Sequence, residues 1–189
     1  VRPSCRYSMA CLRGGGRLRR CGRVVGHRRG GGLVGVRVDR LLDGLLERGI
    51  APYLTLYHWD LPQALQEGGG WLNRSTVDRF AEYAVEVARR FGSRAASIAT
   101  HNEPWVVAIL GHEAGIFAPG LKSRRSAMQV AHHLLLSHGI ALQALRAQGC
   151  AAPLGITLNQ APIHPATESP ADLARARLDD GLTIRWYMD

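Results

Sequence analysis

Three polar runs hold the residue types that could do chemistry: His58-Trp59-Asp60, Thr100-His101-Asn102-Glu103-Pro104-Trp105, and the isolated Asn159. A carboxyl next to an amide, with indoles on either side, suits a sugar. Glu103 can protonate a glycosidic oxygen, Asn102 can hold a hydroxyl, and the faces of Trp59 and Trp105 can stack on a pyranose ring. Each residue also has a plainer reading, His58 as a satisfied loop histidine and the tryptophans as core. Other candidates carry less. His112-Glu113 begins an HExxH-like string, but its fifth residue is Ile116, which excludes a zincin. His132, His133 and His138 lack i, i+4 spacing among themselves and read as solvated or core side chains. Asn73-Arg74-Ser75 is a glycosylation sequon that needs a secretory route. Cys5, Cys11, Cys21 and Cys150 show neither metal-ligand spacing nor a disulfide framework, so no metal site is expected.

The elements that must position these runs follow from periodicity. Val38, Leu41, Leu42, Leu45 and Leu46 recur at helical spacing up to Gly49. Ile50–Tyr57 reads as a strand covered on both faces. A loop spans 58–74. Ser75, with Asp78 three residues on, then caps a helix whose stripe is Val77, Phe80, Ala81, Ala84, Val85, Ala88 and Phe91, closed by Gly92. Ala95–His101 is a second strand, followed by a loop to about Arg125 with a helical turn after Pro104. Ser126–Gln148 is a long helix and Pro153–Asn159 a third strand. Ser169 and Pro170 open a last helix toward Asp189. Strands alternating with helices predict a parallel α/β architecture. Long loops after the strands and short ones before them suit a (β/α) barrel with its site at the strand C-termini. Only three strands are predicted, which leaves open edges and half-covered helices.

The 189 residues carry a formal charge of +9, but that charge sits in one place. Residues 1–37 contain ten arginines, no acid and nine glycines, which leaves 14 basic against 15 acidic residues in 38–189. The basic composition therefore describes only the first segment. Its Gly triplets predict little fixed structure. It reads as a disordered basic arm or, given a single lysine (Lys122) in the whole chain, as the product of a wrong reading frame in GC-rich coding. It has no secretory pattern, so a cytoplasmic location is expected. No run approaches the roughly 18 apolar residues of a membrane helix.

From Leu42 to Asp189 the sequence resembles glycoside hydrolase family 1, the β-glucosidases, through PYLTLYHWDLPQALQEGGGWLNR (52–74), THNEPW (100–105), FAPG (117–120), GITLN (155–159) and RWYMD (185–189). The resemblance implies a partial (β/α)8 TIM barrel, with about three parallel strands standing as the third to fifth. It implies a retaining O-glycosyl hydrolase of carbohydrate catabolism acting on β-glycosides, small or oligomeric. Glu103 matches the general acid/base, Asn102 the donor to the sugar 2-hydroxyl, and His58 and Trp59 glycone-binding positions. No metal or organic cofactor is implied, since two carboxylates carry the reaction. The family's nucleophile lies in a Glu-Asn-Gly motif that this chain does not contain, so the chain as written reads as a fragment without activity. The domains expected are 1–37, outside the family, and 38–189, a partial barrel. The partner expected is the glycoside alone, with no nucleic acid and no membrane, and the oligomeric state is left open. A non-catalytic sugar-binding or interaction protein made from half a barrel stands as the alternative. RNA association through the basic arm is a third reading.

Overall fold

The computed structural model describes residues 4–13, 17–27 and 31–189, with side chains from Arg37 onward. One five-stranded sheet runs in the order β2-β1-β3-β4-β5. Strands β1 (Ser4–Arg13) and β2 (Arg17–His27) form an antiparallel hairpin, and helix α1 (Gly31–Leu46) follows. Then come β3 (Ala51–Tyr57), α2 (Gln63–Glu67), a 3-10 turn at Gly70–Leu72, α3 (Ser75–Phe91) and β4 (Ser97–Asn102). A π-helix at Val106–Glu113, α4 (Arg124–Ala147) and β5 (Leu154–Thr157) complete the alternation. The chain finishes with α5 (Pro170–Asp180), a π-helical stretch at Gly181–Arg185 and α6 (Trp186–Met188).

Strands β3, β4 and β5 are parallel neighbours, as the alternation requires, with Tyr57 opposite His101 and Asn102 opposite Thr157. Burial explains the arrangement. Along β3 and β4 alternate residues are inside, and Leu54, Leu56 and Ile98 meet Val38, Leu42 and Leu45 of α1, Phe80, Ala84 and Phe91 of α3, and Val130, Leu134 and Leu145 of α4. Each valine, leucine, isoleucine or phenylalanine among them removed from water contributes about 1.5–3 kcal/mol. Asp39 of α1 binds Arg90, at 2.9 Å, and Arg94, and Arg94 also reaches Asp43 at 2.8 Å, which ties α1 to the end of α3.

The structure differs from the sequence reading at several places. Residues 4–27 were expected to hold no element, yet β1 lies antiparallel on β3, Ser8 facing Thr55 and Leu12 facing Ala51. Cys5, Tyr7, Met9 and Cys11 alternate with smaller or polar residues, a period-two pattern hidden by the Arg/Gly composition. The free edge of β3 supplies the unpaired N–H and C=O groups for it to pair with. The first Gly triplet, 14–16, lies outside the described residues. Helix α1 begins seven residues earlier than predicted and crosses the compositional boundary at Val38. The cap of α3 is Asn73, not Ser75: its Oδ1 accepts from the Ser75 N–H at 3.0 Å and from the Ser75 hydroxyl at 2.9 Å. Finally, Val87 rather than Val85 is buried on α3 and Phe91 is covered, while Val85 and Ala88 are only half-buried, so the expected half-covered stripe holds in part.

Candidate active site

Because the strands are parallel and in register, the loops that follow β3 and β4 emerge at the same end of the sheet. His58 lies one residue past the Tyr57–His101 pair, with Asn102 level with it and Glu103 next. Two hydrogen bonds lock the turns together. The Trp59 indole N–H donates to the Asn102 carbonyl at 2.8 Å, and the Glu103 amide donates to the Thr157 carbonyl at 2.7 Å. Among the described non-glycine residues, positive φ occurs only at Trp59 (75°) and Glu103 (47°). The left-handed region costs a non-glycine residue about 1–2 kcal/mol. Such strain concentrates where surrounding contacts over-determine a functional turn.

Asn102 is buried, 8% exposed, and its side-chain N–H2 has no hydrogen-bond partner among the described residues. A buried amide donor left unpaired costs about 1–3 kcal/mol, which a ligand acceptor would relieve. Glu103 and His58 are half-buried. His58 meets Trp59 edge-on with ring centres 5.1 Å apart, and Trp59 lies 5.7 Å from the exposed Phe117. Trp59 and Trp105 also pack partly against the core, so the plainer reading holds for part of each ring. Asn159 stands half-buried two residues beyond β5. The arrangement gathers a carboxyl, an unpaired amide donor, an imidazole and an indole at one sheet end.

Sequence reasoning placed His101 in the polar run, and the structure packs it into the core instead. It has no exposed surface and stacks on Phe80 at 4.4 Å, with Tyr57 and Trp71 edge-on. Its Nε2 is 2.8 Å from the Ser137 hydroxyl, whose single proton is donated to the Leu134 carbonyl at 2.7 Å. Ser137 must therefore accept, and His101 carries its proton on Nε2. Burial pushes the His101 pKa down to about 3, with His138 adding to the effect, so the ring is neutral. The adjacent Thr100 hydroxyl contacts His138 Nδ1 at 2.7 Å, and consecutive residues of α4 thus grip consecutive residues of β4. The signal in the sequence was the strand position itself, since a residue inside a buried strand is packed before it is polar.

The remaining sequence candidates have structural work. His112 is buried in the π-helix and its Nδ1–H donates to the Val107 carbonyl at 2.8 Å. Glu113 is bound by Arg124 at 2.7 Å. His133 is buried and its Nδ1 meets the Trp71 carbonyl at 2.7 Å, while His132 is exposed. Among the described residues no group of three His, Cys, Asp or Glu is placed to hold a metal, and no helix is long and apolar enough to cross a membrane.

The family model for glycosyl hydrolase family 1 matches residues 34–189. The chain belongs to glycosyl hydrolase family 1. It is 49% identical over 150 residues to beta-glucosidase A of Acetivibrio thermocellus, covering 79% of this chain and 34% of that protein. It is 44% identical over 139 residues to beta-glucosidase A of Thermotoga maritima, covering 74% and 31%. Among solved structures, the AHE enzyme of Alicyclobacillus herbarius superposes with a TM-score of 0.80 at 46% identity, and the family 1 β-glucosidase of Thermotoga maritima with 0.78 at 40%. Each covers 82% of this chain and 35% of the other. The fold is thus part of a family 1 (β/α)8 barrel, and the chain spans about a third of the length of the relatives it matches. The antiparallel hairpin precedes the matched residues, in keeping with a barrel whose strands are all parallel.

Proposed function

We propose that this family 1 chain carries the acid/base half of a retaining β-glucosidase-type hydrolase that cleaves β-glycosides in the cytoplasm. The observation that carries the reading is the strained turn at Glu103, beside a buried Asn102 amide with no hydrogen-bond partner among the described residues. In the proposed reaction Glu103 protonates the glycosidic oxygen as the bond to the anomeric carbon breaks. A second carboxylate, roughly 5–5.5 Å away, attacks that carbon. Glu103 then takes a proton from the water that releases the sugar. Asn102 donates to the 2-hydroxyl, while His58 and Trp59 hold the glycone. The catalytic-fold segment is residues 34–189, beginning four residues before the sequence boundary at Val38, and the hairpin of β1 and β2 stands outside it.

The 189 residues contain no Glu-Asn-Gly run to supply the attacking carboxylate. The chain by itself is therefore expected to hydrolyse an aryl β-glucoside no faster than its Glu103→Gln variant. Glu103-dependent turnover with retention of configuration would refute this part. The decisive test grafts residues 34–189 in place of the matching segment of the Acetivibrio thermocellus relative. The graft is expected to hydrolyse the aryl glucoside, and Glu103→Gln within it to lower the rate by about 10²–10⁴-fold. A graft that folds, hydrolyses and is indifferent to Glu103 would remove the assignment.

A further inference from the structure

Against Trp59, but on residues other than His58, Asn102 and Glu103, lies a cleft of about 190 Å³. Its principal walls are Trp59 and Asp60 after β3, Gln63 and Gln66 on α2, His112 on the π-helix, and Pro119. The chemistry of these walls is specific. His112 is 3% exposed, and its Nδ1–H is spent on the Val107 carbonyl, so Nε2 keeps its lone pair and acts as an acceptor. Gln66 is folded over Gly70. Its Oε1 sits 2.7 Å from where a Cβ at position 70 would stand, and Gly70 has φ +57°, so only glycine permits this placement. Gln63 is steadied by its side-chain amide donating to Glu67 at 3.1 Å. Trp59 spends its N–H on Asn102 and has only ring surface left to offer.

An indole surface beside two carboxamides, a carboxylate and an imidazole acceptor matches the two characters of a pyranose, an apolar C–H face and a ring of hydroxyls. The volume falls below the roughly 300 Å³ at which drug-sized sites begin. Its size suits a single ring. We propose that this cleft is a second, non-hydrolytic site for a single sugar ring, sharing the Trp59 indole with the active site. Nothing in it depends on Glu103 or on a second carboxylate.

The test titrates the full 189-residue chain with D-glucose, following saturation-transfer NMR of the sugar and tryptophan fluorescence. Binding is expected to saturate, to weaken by about tenfold in Gln63→Ala/Gln66→Ala, where two hydrogen-bonding groups are lost, and to persist in Asn102→Ala. Gln63→Ala alone, at an exposed side chain, is expected to show a smaller loss without disturbing the fold. The absence of saturable binding overturns the proposal. So does binding that vanishes in Asn102→Ala and ignores Gln63 and Gln66, and in that case the active-site reading stands while the second site falls.

Discussion

Around β3 and β4, three helices bury a continuous core in which Leu42, Ile98, Leu134 and Leu145 have no exposed surface. The β5–α5–α6 region is finished differently. No residue of α5 is buried, β5 is four residues long and only half-covered, and Leu178 and Met188 remain 56% and 63% exposed. Yet α5 is as regular as α3. Its Ser169 side chain accepts from the Asp172 N–H at 3.1 Å, Pro170 occupies the first turn, and Arg175 pairs with Asp179 at 2.8 Å. Local signals are enough to shape a helix, whereas cover is what gives a helix energy. An exposed i, i+4 pair contributes only about 0.3–0.5 kcal/mol, several-fold less than one buried leucine.

The contrast can be broken most forcefully in the packed half. Leu134→Ala is expected to lower unfolding free energy by about 2–5 kcal/mol, read as a shift of the urea midpoint. A loss under 1 kcal/mol would mean that the β3–β4 core is loose after all. Ser137→Ala comes next, because it leaves the His101 Nε2–H buried without an acceptor, at about 1–3 kcal/mol. His101→Phe, which keeps the stack on Phe80, should be milder in stability and should change its pH dependence. The depressed His101 pKa means that the unfolded chain takes up a proton below about 6.5 that the folded chain refuses down to about 3. Stability must therefore fall as pH drops through that window, by at most about 1.4 kcal/mol per pH unit. His101→Phe is expected to flatten this slope, and an unchanged urea–pH profile would contradict the buried neutral ring.

Smaller still is the link between α1 and α3. Hydrogen bonds from Arg94 and then Arg90 hold the Asp39 carboxyl below its ordinary pKa, so its contribution is present above about 3.8 and is lost as pH falls through the folded value. The pair is partly exposed, and Asp39→Asn is expected to cost about 1 kcal/mol or less at neutral pH and nothing once the carboxyl is protonated. The smallest effect belongs to the open region. Leu178→Ala should move the midpoint by no more than about 0.5 kcal/mol. A cost like that of Leu134→Ala would show that something covers α5 in solution.

What the sequence made legible follows the same division. The β3, α3, β4, α4 and β5 elements and the common end of His58, Asn102 and Glu103 could be read because burial imposes a period on the residues. Glycines at 49, 92 and 149 marked where the helices stop. The hairpin could not be read, since pairing with β3 is a long-range contact and Arg and Gly obscure a two-residue alternation. The π-helix after Trp105 and the Asn73 cap escaped for a related reason, each being settled by backbone hydrogen bonds to neighbours that no local pattern announces. His101 looked like a member of the polar cluster and is instead a packed ring, because polarity was weighed before strand position.

The hydrogen bond from the Glu103 amide to the Thr157 carbonyl crosses that division. It anchors a strained turn to a short, half-covered strand. In engineering terms the carboxyl's positional tolerance is set by the looser of its two mounts. Whatever stiffens β5, even at a distance from the turn, narrows the spread of positions open to the Glu103 carboxyl.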